Sequence, residues 1–355
     1  MHRSRPRTAG GDFYLIGPPL TRRRRCGTLR SVKEERDRCE ETNECATLVY
    51  EPLRHRGFRG ALRLLWGSAF PMIKLSYEAL GIRADETAEL LWFAGFRFLL
   101  AALLILLLLR AFREIAALRR SDVPALLKIG AFQTFLQYVL FYIGLSLSTG
   151  MQGAVISGTT SFFQMLFAHL LYPDDKLNAR KAAGLAVGFA GVVAVNLHQG
   201  GASLQFGLGE ACLVLAMASA GLGNMFAKSG AGSMPVPYMT AYQMLFGAIA
   251  LLAAGASIGG PPRLSFTIAS AGMLAYLAFL SAAGFVLWNT IMKYNAVGNV
   301  SMYLFLIPVF GVMLSALLPG ESLHRYIVLG LALVAAGIVI VNRKTRAPAS
   351  ETTAG

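Results

Sequence analysis

Two cations interrupt apolar runs of this chain, Lys74 and Arg97. At 1.5 Å per residue, Lys74 stands about six residues, roughly 9 Å, from the end of its run. Arg97 stands about eight residues, roughly 12 Å, from the start of the next. An ionisable side chain inside hydrocarbon is costly and marks either a function or a partner. Two cations at similar depth in adjacent helices make an electropositive floor suited to a carboxylate or a phosphate. The structural alternative pairs Lys74 with Glu78, one turn away on the same face, and lets Arg97 bond helix-end carbonyls or snorkel outward.

Neutral polar groups accompany them. Gln133, Gln137 and Tyr138 stand at helical spacing, with Tyr142 continuing the face; Ser157, Thr160, Ser161 and Gln164 form a second stripe. Lipid does not tolerate such groups, so both stripes are expected to face a cavity or another helix. Later in the chain Asn224, Tyr242, Gln243, Trp288 and Asn289 are the corresponding candidates, the aromatics able to stack on or sieve a small molecule. Metal and cofactor chemistry is not expected. Cys39 and Cys45 have no histidine pair at zinc-ligand spacing nearby. His169, His198 and His324 are not matched with acids, and no phosphate-binding glycine loop is present.

The elements that must position these residues follow from composition. The chain has 355 residues, 55% hydrophobic and only 15% charged, with a mean hydropathy of +0.53. That excludes a disordered protein, a disulfide scaffold and an ordinary cytosolic enzyme. The apolar residues fall into ten runs, roughly 61–80, 89–109, 123–146, 150–171, 180–197, 206–227, 236–256, 270–292, 298–318 and 326–342. Each is long enough to cross a bilayer. The expected fold class is an all-α polytopic membrane protein with ten transmembrane helices and no extramembrane catalytic domain.

The net charge of +14 would suggest nucleic acid in a soluble chain. Here the Lys and Arg residues fall in alternate loops, 16 on one side against Arg83, Arg263 and Arg325 on the other. Positive loops stay inside. Both termini are therefore expected in the cytoplasm, with the chain multi-pass in the inner (plasma) membrane and nucleic acid not a partner. Residues 1–58 carry 13 Lys+Arg and 8 Asp+Glu and no long apolar run. They are expected to form a basic, disordered cytoplasmic tail. The next methionine after Met1 is Met72, inside the first run, so a later start would need another codon, for instance at Val49.

An internal repeat divides the rest. Residues 152–196 lie over 298–342 without gaps, matching Pro173 with Pro319, Leu177 with Leu323, Gly184 with Gly330, Gly191 with Gly337 and Asn196 with Asn342, and placing Asp175 on Glu321. The expected domains are five-helix repeats at 59–200 and 201–345, followed by a C-terminal tail at 346–355. An odd number of spans per repeat turns the second half upside down relative to the first. Inverted repeats are the architecture by which a central site opens alternately to two faces.

These residues resemble the EamA branch of the drug/metabolite transporter superfamily. The resemblance rests on Trp66-Gly67-Ser68-Ala69-Phe70 with Lys74, on Arg97-Phe98, and on Pro319-Gly320-Glu321-Ser322-Leu323 before Gly330 and Gly337. It covers about 60–343. The family's fourth-helix proline is matched by Pro308 but by Phe162 in the first half, and only Lys228 echoes Lys74. The resemblance implies a secondary transporter that moves a small organic metabolite, amino-acid-like or drug-like, outward by alternating access. Gly184, Gly188, Gly191, Gly330 and Gly337 are expected to make helix contacts within a subunit or in a homodimer. Two other classes stand beside this one. A membrane-embedded lipid-modifying enzyme would need a nucleophile or metal constellation, which these histidines do not supply. A membrane anchor for the basic tail would lose its activity on deletion of 1–55, as a carrier would not.

Overall fold

The computed structural model describes residues 56–114, 117–171, 177–195, 207–295 and 306–342, all helix and connecting turns. The two tails, Asp174, Asp175, Asn196 and the opening of the ninth run lie outside the described residues. Among the described residues, six helices are long and apolar enough to cross a membrane. They are α2 (Thr87–Ala111), α3 (Val123–Leu147), α4 (Gly150–Leu171), α6 (Leu208–Gly230), α7 (Val236–Gly259) and α8 (Ile268–Tyr294). Four further helices are α1 (Arg56–Leu80), α5 (Ala179–Val195), α9 (Leu306–Leu317) and α10 (Arg325–Asn342). The helices fall where the runs predict them. As described, α5 and α9 span 17 and 12 residues, each bounded on one side by the limit of the described residues.

Local chemistry sets the ends. Thr149 and Gln152 form a reciprocal capping box at the start of α4, and Thr267 and Ser270 do the same for α8. Gly207 N–H donates to Glu210 Oε2 at 3.0 Å where α6 begins. Gly81 follows α1 at φ +65°, a left-handed stop that suits a residue without Cβ. Two helices are irregular inside: α3 carries a π-helical stretch over Ala131–Leu136, and α4 is interrupted at Gly158–Thr159.

Packing repeats itself. α2 lies along α7 and α5 along α10, and α4 meets α9. The pairs α1–α9, α1–α8 and α2–α8 have counterparts in α6–α4, α6–α3 and α7–α3. Replacing each helix by the one five places on therefore maps these pairs onto one another. Small residues allow the closest approaches. A Cβ on Gly337 would stand 2.5 Å from the carbonyl oxygen of Gly184, and one on Gly191 would stand 2.7 Å from that of Gly330. The glycines of the repeat thus press α5 against α10 within one chain.

Candidate binding cavity

A cavity of about 120 Å³ lies where helices from both repeats converge, with room for several waters. Trp66, Phe70 and Ile73 of α1 and Phe285 and Trp288 of α8 form much of its apolar wall. Arg97, Gln137, Tyr138, Ser157, Thr160 and Asn224 supply its polar groups. In the register that lays Lys228 over Lys74, Trp66 and Phe70 fall over Ala220 and Asn224, and all four line the cavity. The first repeat contributes bulky aromatics where the second contributes small or polar residues.

Arg97 is the charged member and only 2% exposed. Its Nε donates to Ser281 Oγ at 2.8 Å and its Nη1 to Tyr142 OH at 3.2 Å. Ser281 sends its own hydrogen to the Leu277 carbonyl at 2.8 Å, which leaves a lone pair for the guanidinium. The guanidinium carbon also stands 5.2 Å from the Phe98 ring centre and 5.7 Å from that of Tyr138. Two of its five N–H groups are thus committed, both to neutral hydroxyls. Among the described residues no carboxylate pairs with it. A desolvated cation held by dipoles alone suits a site whose anion arrives from outside.

Beside the cavity lies a buried cluster of neutral amides and hydroxyls. Gln133 Nε2 donates to Asn224 Oδ1 at 2.7 Å and to Asn289 Oδ1 at 3.1 Å. Asn289 Nδ2 donates to Thr240 Oγ1 at 3.0 Å, and Thr134 Oγ1 donates to Gln243 Oε1 at 2.7 Å. The π-helical stretch matters here: it brings the consecutive residues Gln133 and Thr134 both into the interior. Gly223 and Gly247 let the backbones of α6 and α7 close on them, since a Cβ would stand 2.7 Å from Gln133 N or 2.4 Å from Thr134 Cβ.

The candidates from the sequence therefore fall into groups. Arg97, Gln137, Tyr138, Thr160 and Trp288 line the cavity; Gln133, Gln243 and Asn289 belong to the amide cluster. Gln164 is fully buried on α4 with neither amide atom hydrogen-bonded. Tyr242 is packed against Tyr238, ring centres 4.9 Å apart, away from the cavity. Lys74 does not line the cavity with Arg97. It forms an ion pair with neither Glu78 nor Glu321. Glu321 instead accepts from the N–H groups of Gly150 and Met151, at 2.6 and 2.8 Å, where α4 begins. Lys228 Nζ donates to the Met292 carbonyl at 3.2 Å and to that of Asn295, at the end of α8.

Sequence reasoning missed Ser281, Thr134, Thr240 and the cap made by Glu321. Thr240 carried a signal, three residues before Gln243 on the same helical face. Thr134 did not, because a regular helix would turn it about 100° from Gln133.

Apolar helices in two similar sets surround a cavity whose wall, among the described residues, carries Arg97 without a carboxylate partner, the layout of a polytopic membrane protein. Comparison with known proteins gives the class its name. The model of the EamA-like transporter family matches twice, over residues 61–197 and 207–343, and the chain belongs to that family. "Uncharacterized transporter YvbV" of Bacillus subtilis (strain 168) is 27% identical over 81% of this chain and 90% of its own. "Probable amino-acid metabolite efflux pump" of Escherichia coli (strain K12) is 26% identical, over 79% and 93%. "Uncharacterized inner membrane transporter YedA" of the same strain is 28% identical, over 79% and 88%. A solved crystal structure aligns with a TM-score of 0.56 at 16% identity, over 79% of this chain and 96% of the other, and so shares the fold.

Proposed function

We propose that this protein is a secondary transporter that exports a small organic metabolite across the inner membrane by alternating access, with Arg97 holding a carboxylate of the solute. The observation that carries the reading is Arg97 itself: buried, in the cavity wall, and without an acidic partner among the described residues. A carboxylate completes its unused N–H groups, and the aromatic walls cover the rest of the solute. The amino-acid-like class draws support from the name of the Escherichia coli relative. The ten helices act as inverted repeats, 59–200 and 201–345, with both termini cytoplasmic. The loop charges and the five-place symmetry of the helix contacts support that arrangement. Gln137, Tyr138, Thr160 and Trp288 orient the solute, while Gln133, Gln243 and Asn289 support the cavity from one side.

The test compares extracellular and intracellular metabolites in cells overproducing the wild type or Arg97→Gln, matched for membrane abundance. One or more carboxylate solutes should accumulate outside with the wild type only. No change in any solute with the wild type, outside or inside, overturns the transport reading.

A further inference from the structure

The amide cluster is more than support for the cavity. On α3 and α8 its members lie one step beyond the cavity lining, and on α6 its member is the end of that lining. On α3, Gln133 comes one turn before Gln137 and Tyr138. On α8, Asn289 follows Phe285 and Trp288, and on α6, Asn224 is the last lining residue. All three placements point to the face at which α3 begins and α6 and α8 end. We propose that this cluster is the gate that closes the cavity toward that face, a reading that rests on alternating access as proposed above.

Three features suit it to opening. First, three of its four hydrogen bonds cross between the repeats, from Gln133 and Thr134 of the first to Asn224, Gln243 and Asn289 of the second. Second, the bonds are between neutral groups, which are weak across membrane helices and are replaced by water without the penalty that wetting an apolar plug carries. Third, the cluster is incompletely satisfied when closed. Gln133 Oε1 and Gln243 Nε2 are buried with no hydrogen-bond partner. Opening hydrates both, which offsets part of the cost of parting the helices. The π-helical stretch under Gln133 and Thr134 places an irregular, deformable segment of α3 at the point that must move.

The experiment reads the gate without any transported solute, so it fails or succeeds separately from the transport reading. The full chain, with its four cysteines replaced by serine, carries a single reporter, Ser157→Cys, in the cavity wall. A membrane-impermeant thiol reagent is applied from each side of sealed vesicles. Ser233→Cys, exposed in the turn between α6 and α7, identifies in a parallel preparation which side is the gated face. Asn289→Ala, which removes the bonds to Gln133 and Thr240, should speed labelling of the reporter from that face about tenfold. Thr134→Val, which removes the bond to Gln243 and preserves shape, should speed it about threefold, and it decides the matter if Asn289→Ala does not fold. Tyr238→Phe removes a tether to Asp122 on the same face without touching the cluster, and should change nothing. Labelling that stays at the wild-type rate in the folded cluster variants overturns the gate, as does an equal rise in Tyr238→Phe.

Discussion

Arg97 and Gln243 occupy the same place in the two halves of the molecule. The offset of 146 residues that aligns the C-terminal spans lays one over the other. Each also reaches across to the third helix of the opposite repeat: Arg97 donates to Ser281 on α8, and Gln243 accepts from Thr134 on α3. The backbone scheme is shared and the chemistry is not. At one pole a guanidinium sits among Tyr138, Tyr142 and Ser281; at the other, amides bond amides. A symmetric scaffold can exchange two conformations of similar energy, as alternating access requires. Arg97, with Gln243 at its counterpart position, makes the two poles chemically unequal.

Breaking the charged pole should have the largest effect. Arg97→Gln removes the charge and should lower transport of a carboxylate solute roughly 100-fold, measured as initial rate per transporter in vesicles. Arg97→Lys should recover only part of that, since an ammonium cannot replace the guanidinium fork. Adding a charge to the neutral pole comes next. Gln243→Arg buries a second cation with no acid beside it and should cost about 3 kcal/mol or more, read as a large drop in melting temperature in detergent. Should Gln243→Arg instead melt like the wild type, the two poles tolerate charge equally and the contrast between them falls.

Smaller changes sharpen the comparison. Gly223→Ala drives a methyl against the Gln133 backbone and should destabilise the protein by about 1–3 kcal/mol. Tyr142→Phe takes one hydrogen bond from Arg97 and should weaken carboxylate binding about fivefold, with little change in melting temperature. Glu321→Gln should be mildest. It replaces a charged cap at the α4 N-terminus by a neutral one and should cost about 1 kcal/mol in thermal stability, leaving solute specificity as it was.

What the sequence disclosed divides along the same line. Helix positions were legible because hydrophobic runs bounded by charge, glycine and proline leave few alternatives. Arg97 was legible because a cation within such a run needs a reason. Its surroundings were not: Ser281 is one hydroxyl in an apolar stretch 184 residues away and gives no periodic signal. The same limit hid the fate of Lys74. Depth along adjacent helices suggested that it shares a floor with Arg97, yet depth says nothing about which way each side chain turns. In the sequence the members of the amide pole stand as separate candidate residues along the chain. Its unity depends on a π-helical stretch that composition does not reveal.

Whether Arg97 reads a carboxylate is tested most directly by one comparison. A carboxylate solute found to be exported and its carboxamide are offered to vesicles bearing wild type or Arg97→Gln, with transport rates measured for each. The wild type should prefer the carboxylate by roughly 100-fold, and that preference should collapse in Arg97→Gln because the carboxylate rate falls. Equal rates for the two solutes in the wild type, or a preference that survives loss of the guanidinium, would contradict it.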